Sequence, residues 1–461
     1  MSTPSALARD QLPTFSGQLI GRDDDGYEEA RTVYNAMIDK RPALIARVAD
    51  ADDVAAAIRF ARDHDMRVAV RGGAHNGAGL GTVDDGLVID LSLLRGVQVD
   101  PGARTARVGG GCTWGEVDVA TGEHGLATPS GIISTTGVGG LTLGGGLGHL
   151  TRGFGLAIDN LLEADMVLAN GERARASADE NPDLFWAIRG GGGNFGVVVS
   201  FLFRLHEVGT VIAGPTFWPV ESTAEVLRAY REFLPGAPRE LGGFFMVGAV
   251  PPAEPFPEEI HLKHVCGVVW CHTGSEDEAA RDMKPLLDAL PEPLLHGPAP
   301  MPHAALQSAF DGVYPAGDQW YWRADFVEEV PDEAVEIHAR FAARLPIWKS
   351  TMHLYPINGA VHNVGAGDTA WRYRHANYGA VFAGVDSDPA NVDAIRRWSV
   401  DYQEALHPHS AGGAYVNMMM DEGQDRVRAS YGDNYDRLAR IKAQYDPENF
   451  FRVNQNIEPA G

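Results

Sequence analysis

The chain has 461 residues, 44% of them apolar, which is more than one ordinary domain holds and enough for two domains with sizeable cores. Its formal net charge of −24 argues against nucleic acid or anionic membrane as a partner and favours small neutral or cationic molecules. Three cysteines, Cys112, Cys266 and Cys271, are too few for a disulfide framework or a four-ligand zinc site, and no stretch has the pattern of a signal peptide or a membrane span, so a soluble cytoplasmic protein without a metal is expected.

Residues 27–37 and 51–64 carry helical periodicity, the second with Asp50, Asp52 and Asp53 at its start to cap it and complement its dipole. Residues 66–70 read as a buried strand that runs into Arg71-Gly72-Gly73-Ala74-His75-Asn76-Gly77, and a second strand follows at 87–91. Because a strand and not a helix comes after the glycines, this is not the dinucleotide fold that opens with a strand, a Gly-x-Gly-x-x-Gly turn and a helix. A hairpin about Asp100-Pro101-Gly102 and a helix at 114–124 come next.

Between Thr128 and Gly155 lie ten glycines, interleaved with Leu141, Leu143, Leu147 and Leu150. Glycine loses the most entropy on folding, so this density belongs where side chains would keep backbone away from a phosphate chain or a flat ring. The leucines mark a packed segment and not a linker. Strands at 162–168 and 172–176 flank Asn170-Gly171, a short helix spans 181–188, and a third glycine loop at 189–196 leads into a strand at 197–205. Three glycine loops in the first half imply one extended cofactor bound across it.

After His206 prolines and aromatics rise and the glycine loops stop. Helices at 224–233, 276–290 and 331–345 alternate with strands at 244–250, 265–271, 320–326, 351–354 and 378–385, which predicts a second sheet with Cys266 and Cys271 as core thiols. A helix at 433–445 ends at Asp446-Pro447, and the polar close Asn454-Gln455-Asn456 suits a return to the first domain. The expected division is 1–208, 209–412 and a returning segment, 413–461.

Arg71-Gly72-Gly73-Ala74-His75-Asn76 resembles the flavin-attachment motif of the berberine-bridge-enzyme-like oxidases, which belong to the vanillyl-alcohol-oxidase, or PCMH-type, flavoprotein superfamily. Thr128-Pro129-Ser130-Gly131, Gly137-Val138-Gly139-Gly140, residues 143–148 and 189–196, and Tyr445-Asp446-Pro447 through Asn454-Gln455-Asn456-Ile457 match in the family's order over nearly the whole chain. The resemblance implies an α+β, two-domain PCMH-type FAD-binding fold, its second domain an antiparallel sheet covered by helices. It implies FAD held by Arg71, Gly72, Gly73, Ala74, Asn76, Gly77, Gly131, Ser134, Thr136, Gly137, Gly140, Thr142, Gly145, Gly146, Gly148, Val197, Val198, Asn454 and Asn456. It further implies that His75 bonds to the methyl carbon of the flavin's benzenoid ring, where an imidazole withdraws electron density and makes the flavin a stronger oxidant. Doubly linked members carry a cysteine where Ile133 stands here, and Cys112 lies too far upstream, so a single bond is expected.

On the substrate side the resemblance implies a base above the ring that takes a proton from a hydroxyl or amine while hydride leaves for the flavin. Related proteins often show glutamate where His353 stands, and an imidazole that titrates near neutrality can do that work. From the residues alone, a polar side chain on a strand surface reads equally well. Tyr355 and Tyr415 are the other candidates, a tyrosine base needing a nearby cation or donor to bring its pKa down from about 10. Tyr314, Tyr321 and Trp322 are candidate pocket walls. The implied activity is oxidation of a small organic secondary metabolite, with dioxygen reoxidising the flavin to give hydrogen peroxide. A flavin-dependent oxygenase or oxidative cyclase, and a non-redox isomerase or inactive flavin-binding protein, are the alternatives.

Overall fold

The first half folds as two small sheets whose loops converge, and the second half lays a large sheet over them, in a computed structural model that describes residues 4–461. In the first sheet the strands run in the order Gln18–Gly21, Leu44–Arg47, Leu87–Asp90, Val68–Arg71, the last three parallel. The helix Ala51–Asp63 makes the crossover. Its N-cap Asp50 accepts a hydrogen bond from the Asp53 backbone N–H. Its Val54, Ala57, Ile58 and Ala61 pack on Leu44, Ala46, Leu87 and Ile89, and reach Val167 and Val197 of the second sheet.

The second sheet is antiparallel, in the order Val97–Asp100, Thr105–Gly109, Val197–Arg204, Leu161–Val167, Arg173–Ser177. Because the last of these strands in sequence lies at its centre, the glycine loop at 189–196 enters the middle of the sheet.

The large sheet has eight strands and starts with Thr210–Pro219, which the sequence reading lacks because Gly214, Pro215 and Pro219 disguise it. Its path runs Leu295–His296, Thr210–Pro219, His264–His272, Leu241–Ala249, Thr351–Pro356, Tyr378–Asp386, Gln319–Val327, with Ala299–Pro302 beside the second of these. Strand pleating sends alternate residues to opposite faces. Phe245, Val247, Met352, Leu354 and Phe382 meet the helices Thr223–Phe233, Glu276–Asp288, Asp332–Ala342 and Val392–Leu406. Phe244, Met246, Tyr355, Val381, Ala383, Trp320 and Trp322 face the first half of the chain and join its core. All three cysteines are unpaired and buried, and burial pushes the Cys266 and Cys271 thiols up to about 12.

Two expectations need correction. The helix expected at 27–37 stops at Arg31, because the next residues bond outward: Asn35 Nδ2 donates to the carbonyls of Gly77 and Trp320, and the backbone N–H of Tyr34 donates to Ala74. The helix expected at 433–445 is Tyr435–Tyr445, preceded by one turn of 3-10 helix.

The C-terminal helix Tyr435–Tyr445 carries a wholly buried ion pair, Lys442 Nζ to Asp446 Oδ2 at 2.5 Å. The ammonium also donates to the carbonyls of Asn194 (2.7 Å) and Phe451 (3.0 Å), and Asp446 accepts from the backbone N–H groups of Phe450 and Phe451. The pair ties the end of the chain to the third glycine loop. Asp446→Asn leaves a buried cation without its counter-charge, and the expected loss in denaturant unfolding is about 3–5 kcal/mol. A loss below about 1 kcal/mol contradicts this role for the pair.

Candidate active site

Where the three sheets meet, a cavity of about 320 Å³ opens. One wall is backbone-rich: residues 71–76, Gly131 to Ile133, Thr136, Gly137, Gly139, Gly140, Gly192, Gly193 and Asn194. The opposite wall comes from the large sheet, with Trp320, Trp322, Thr351, His353, Tyr355, Val381 and Ala383, while Tyr415, Asn417, Asn454 and Gln455 close the side.

His75 stands in the first wall. Tyr34 stacks on its ring with centroids 3.9 Å apart and planes within 20°, and the Tyr34 hydroxyl is fixed by donating to the Tyr314 carbonyl at 2.6 Å. Thr135 Oγ1 lies 3.0 Å from Nε2 and Thr136 Oγ1 lies 3.5 Å from Nδ1. Desolvation brings the imidazole down to about 4, so it is neutral at physiological pH. Ala74 before it sits at φ +58°, which sets the sharp turn that presents the ring. Arg71, although it lines the cavity, is committed elsewhere: its guanidinium donates to Asp90 and to the Ala30 carbonyl, both at 2.7 Å, and so braces the loop.

The cavity suits a flat, phosphate-bearing cofactor such as FAD. A Cβ at Gly140 or Gly193 would meet no protein atom within 4 Å, so these glycines expose bare backbone to the cavity. Asn454 Oδ1 and Trp322 Nε1 are buried there without a hydrogen-bond partner. The glycine reading also needs correction, because several glycines make room for protein. Gly145 (φ +135°) and Gly190 (φ +118°) lie under Trp371, which belongs to a segment fastened by Arg374 to Asp159 at 2.7 and 2.8 Å. Gly77 lies under the Trp322 indole.

Of the residues expected at the cofactor, His75, Arg71, Gly72, Gly73, Ala74, Asn76, Gly131, Thr136, Gly137, Gly140, Val198 and Asn454 line the cavity. Gly77, Ser134, Thr142, Gly145, Gly146, Gly148, Val197 and Asn456 do not. Ser134 Oγ donates instead to Asp311, Gly148 abuts the carbonyls of Ser130 and Gly131, and Val197 is core. Tyr314 and Trp322 line the cavity, but Tyr321 points to the other face of its strand, under Arg396 of the helix Val392–Leu406. Strand alternation separates Tyr321 from Trp320 and Trp322, and that signal was available in the sequence.

His353 faces the cavity, 8% exposed, with Nδ1 2.6 Å from Tyr355 Oη and the Phe244 ring 4.7 Å away. Burial takes its imidazole down to about 3 and drives the Tyr355 hydroxyl well above its ordinary value. Tyr415 Oη accepts from the Gly146 N–H (2.9 Å) and from Asn417 Nδ2 (2.8 Å), yet desolvation outweighs both donors and holds the phenol up at about 12. Both tyrosines are therefore protonated donors at neutral pH, and His353 is the one neutral base of the three candidates. Among the described residues, no Asp, Glu or Lys lines the cavity. Tyr34 and Trp320 are not among the residues expected here, since Tyr34 falls in the expected helix at 27–37 and Trp320 in an expected strand, whereas Thr135 and Asn194 lie within glycine segments expected at the cofactor but are not singled out there.

Gly77→Ala sets a methyl about 2.5 Å from the Trp322 ring. The expected result is an overpacking loss of about 1–3 kcal/mol in unfolding with poorer flavin retention; unchanged stability and flavin content contradict it.

A family profile described as "FAD binding domain" matches residues 42–177, and one described as "Berberine and berberine like" matches residues 414–458. Over 92% of its length the chain is 31% identical to a FAD-linked oxidoreductase of Dictyostelium discoideum, 91% of which is covered. It is 30% identical to the (R)-6-hydroxynicotine oxidase of Paenarthrobacter nicotinovorans across 97% of this chain and 98% of that one. The crystal structure of 6-hydroxy-D-nicotine oxidase from Arthrobacter nicotinovorans superposes with a TM-score of 0.86 at 28% identity, over 97% of this chain and 99% of its own. The chain thus belongs to the berberine-bridge-enzyme-like FAD-linked oxidoreductases, with their two-domain fold and FAD as cofactor.

Proposed function

We propose that the protein is an oxidase of a small, uncharged hydroxyl compound with an aromatic or otherwise apolar body, such as a secondary metabolite, and that its FAD is bonded through His75 alone. The observation that carries this reading is the pair of neutral imidazoles on opposite walls of one cavity, His75 in the glycine wall and His353 in the sheet wall. The FAD-linked relatives support oxidase chemistry, and the relative named for 6-hydroxynicotine supports a small ring compound as substrate.

FAD, held against the glycine wall by residues 71–76, Gly137, Gly140 and Asn454, would supply the hydride acceptor and the route by which dioxygen is reduced to hydrogen peroxide. The chain's own work is on the proton and on orientation. In the tautomer whose Nδ1–H donates to Tyr355 Oη, 2.6 Å away, His353 Nε2 is the basic nitrogen and takes the proton of the substrate hydroxyl as hydride departs. Tyr415, whose oxygen accepts two hydrogen bonds, and Tyr355 in that same tautomer of His353 keep their own protons to donate into the cavity. Tyr34, Tyr314, Trp320 and Trp322 supply flat apolar surface. A cationic amine or a carboxylate substrate finds no counter-charge, because Arg71, the charged side chain in the lining, is paired with Asp90. Ile133 lines the cavity where doubly linked relatives carry cysteine, which supports one covalent bond.

The test is anaerobic mixing with a panel of benzylic and cinnamyl alcohols, followed by peroxide measurement in air. Bleaching of the flavin and one peroxide per alcohol oxidised are expected; a panel of charged amines that bleaches it while the alcohols do not contradicts the reading. His353→Ala is expected to slow flavin reduction by about 10²–10⁴-fold with FAD still bound. An unchanged reduction rate removes His353 from the mechanism. Because its pKa lies near 3, His353 stays neutral above pH 5 and gives the reaction no pH dependence of its own there.

A further inference from the structure

Ser134, expected at the cofactor, is held instead by a residue of the other domain. The 308–318 loop joins the helix His303–Gln307 to the strand Gln319–Val327 of the large sheet. From this loop Asp311 accepts twice from Ser134: Oδ1 from the backbone N–H at 3.1 Å and Oδ2 from Oγ at 2.5 Å. Hydrogen bonds to a carboxylate are stronger than those between neutral groups, and two on one residue fix its orientation as well as its distance. The next residue is Thr135, whose Oγ1 lies 3.0 Å from His75 Nε2.

The same loop also reaches the face of the imidazole. The Tyr314 carbonyl accepts from the Tyr34 hydroxyl at 2.6 Å, the Gly317 N–H donates to the Tyr34 carbonyl at 3.0 Å, and Tyr34 stacks on the His75 ring. At its far end the loop is anchored by Asp318, which pairs with Lys349 at 2.6 Å and whose carbonyl accepts from the Ala36 N–H. On the flavin side, the Gly115 and Trp114 N–H groups hold the carbonyls of Ser134 and Thr136 at 2.8 and 2.9 Å. That leaves the Ser134 N–H and hydroxyl to Asp311, so the turn beside His75 is fixed from both domains.

We propose that the 308–318 loop positions His75 for its bond to the flavin, with Asp311 as the positioning residue. In the tautomer whose Nε2–H donates to Thr135 Oγ1, Nδ1 carries the free lone pair, and Thr136 Oγ1, 3.5 Å away, is at the outer limit of a hydrogen bond to it. The attachment balances: Nδ1 bonds to the flavin's methyl carbon as a C–H bond of that methyl and the imidazole N–H bond break. The two protons and the electron pair pass to the flavin ring, and dioxygen takes them up as hydrogen peroxide. Because the loop belongs to the large-sheet domain, attachment follows the docking of the two halves. The inference rests on the reading of His75 as the flavin's covalent tether.

The test uses the full-length chain, made in riboflavin-starved cells and then mixed in air with a saturating excess of FAD, with acid-stable flavin on the chain followed by mass. In Asp311→Ala the attachment rate is expected to fall about 10–100-fold, while FAD binding before attachment, read from quenching of flavin fluorescence, keeps its affinity. Asp311→Asn is expected to restore the rate to within about threefold of wild type, because an amide accepts from the Ser134 N–H and donates to Oγ. A wild-type rate in Asp311→Ala overturns the positioning role, and so does a loss of FAD affinity that accounts for the slowing. Attachment as slow in Asp311→Asn as in Asp311→Ala overturns it too. A wild type that releases all its flavin on denaturation sinks the tether and this inference together, whereas attachment in the wild type with an unimpaired Asp311→Ala sinks the positioning role alone.

Discussion

Between the first and second sheets of the flavin domain, backbone lies directly on backbone. A Cβ on Gly73 would sit 2.6 Å from the Gly137 Cα, and one on Gly137 would sit 2.7 Å from the Gly73 Cα, so neither position admits a side chain. Much of the site depends on that contact. It puts His75 beside Thr135 and Thr136, which fix its ring, and joins the two halves of the glycine wall. The segment at 34–36 then bonds to Ala74 and Asp318, and Asn35 to Gly77 and Trp320, which brings the large sheet down over the same cavity.

Desolvation is the second organising force. The protein carries a formal charge of −24, yet its cavity lining is uncharged apart from Arg71, whose guanidinium is paired with Asp90. Burial lowers both imidazoles and raises the tyrosines, and it outweighs even the two hydrogen bonds accepted by Tyr415. The charges that hold the architecture together are paired away from the substrate: Arg71 with Asp90, Arg374 with Asp159, Lys442 with Asp446.

The flavin loop was legible in the sequence because its glycines, a lone histidine and two flanking strands are local signals. The C-terminal return was legible too, in a polar close that a free tail would not need, and Lys442 now explains its anchor. What stayed hidden depends on distance in the chain. Tyr34 stacks on His75 only because the helix from Tyr27 ends early to bond with a loop some forty residues on. Glycines under Trp371 and Trp322 look the same in sequence as glycines facing a cofactor. The helix Val392–Leu406 is different: its buried Ile395, Trp398, Tyr402 and Leu406 recur at helical spacing, a signal present in the sequence itself.

The proposed bond between the flavin and His75 is tested most directly by the mass of the denatured protein. After acid denaturation and removal of free flavin, the chain should weigh the polypeptide plus one FAD, and proteolysis should leave the flavin on the peptide that contains His75. A chain at the bare polypeptide mass, with all flavin released to the supernatant, contradicts it.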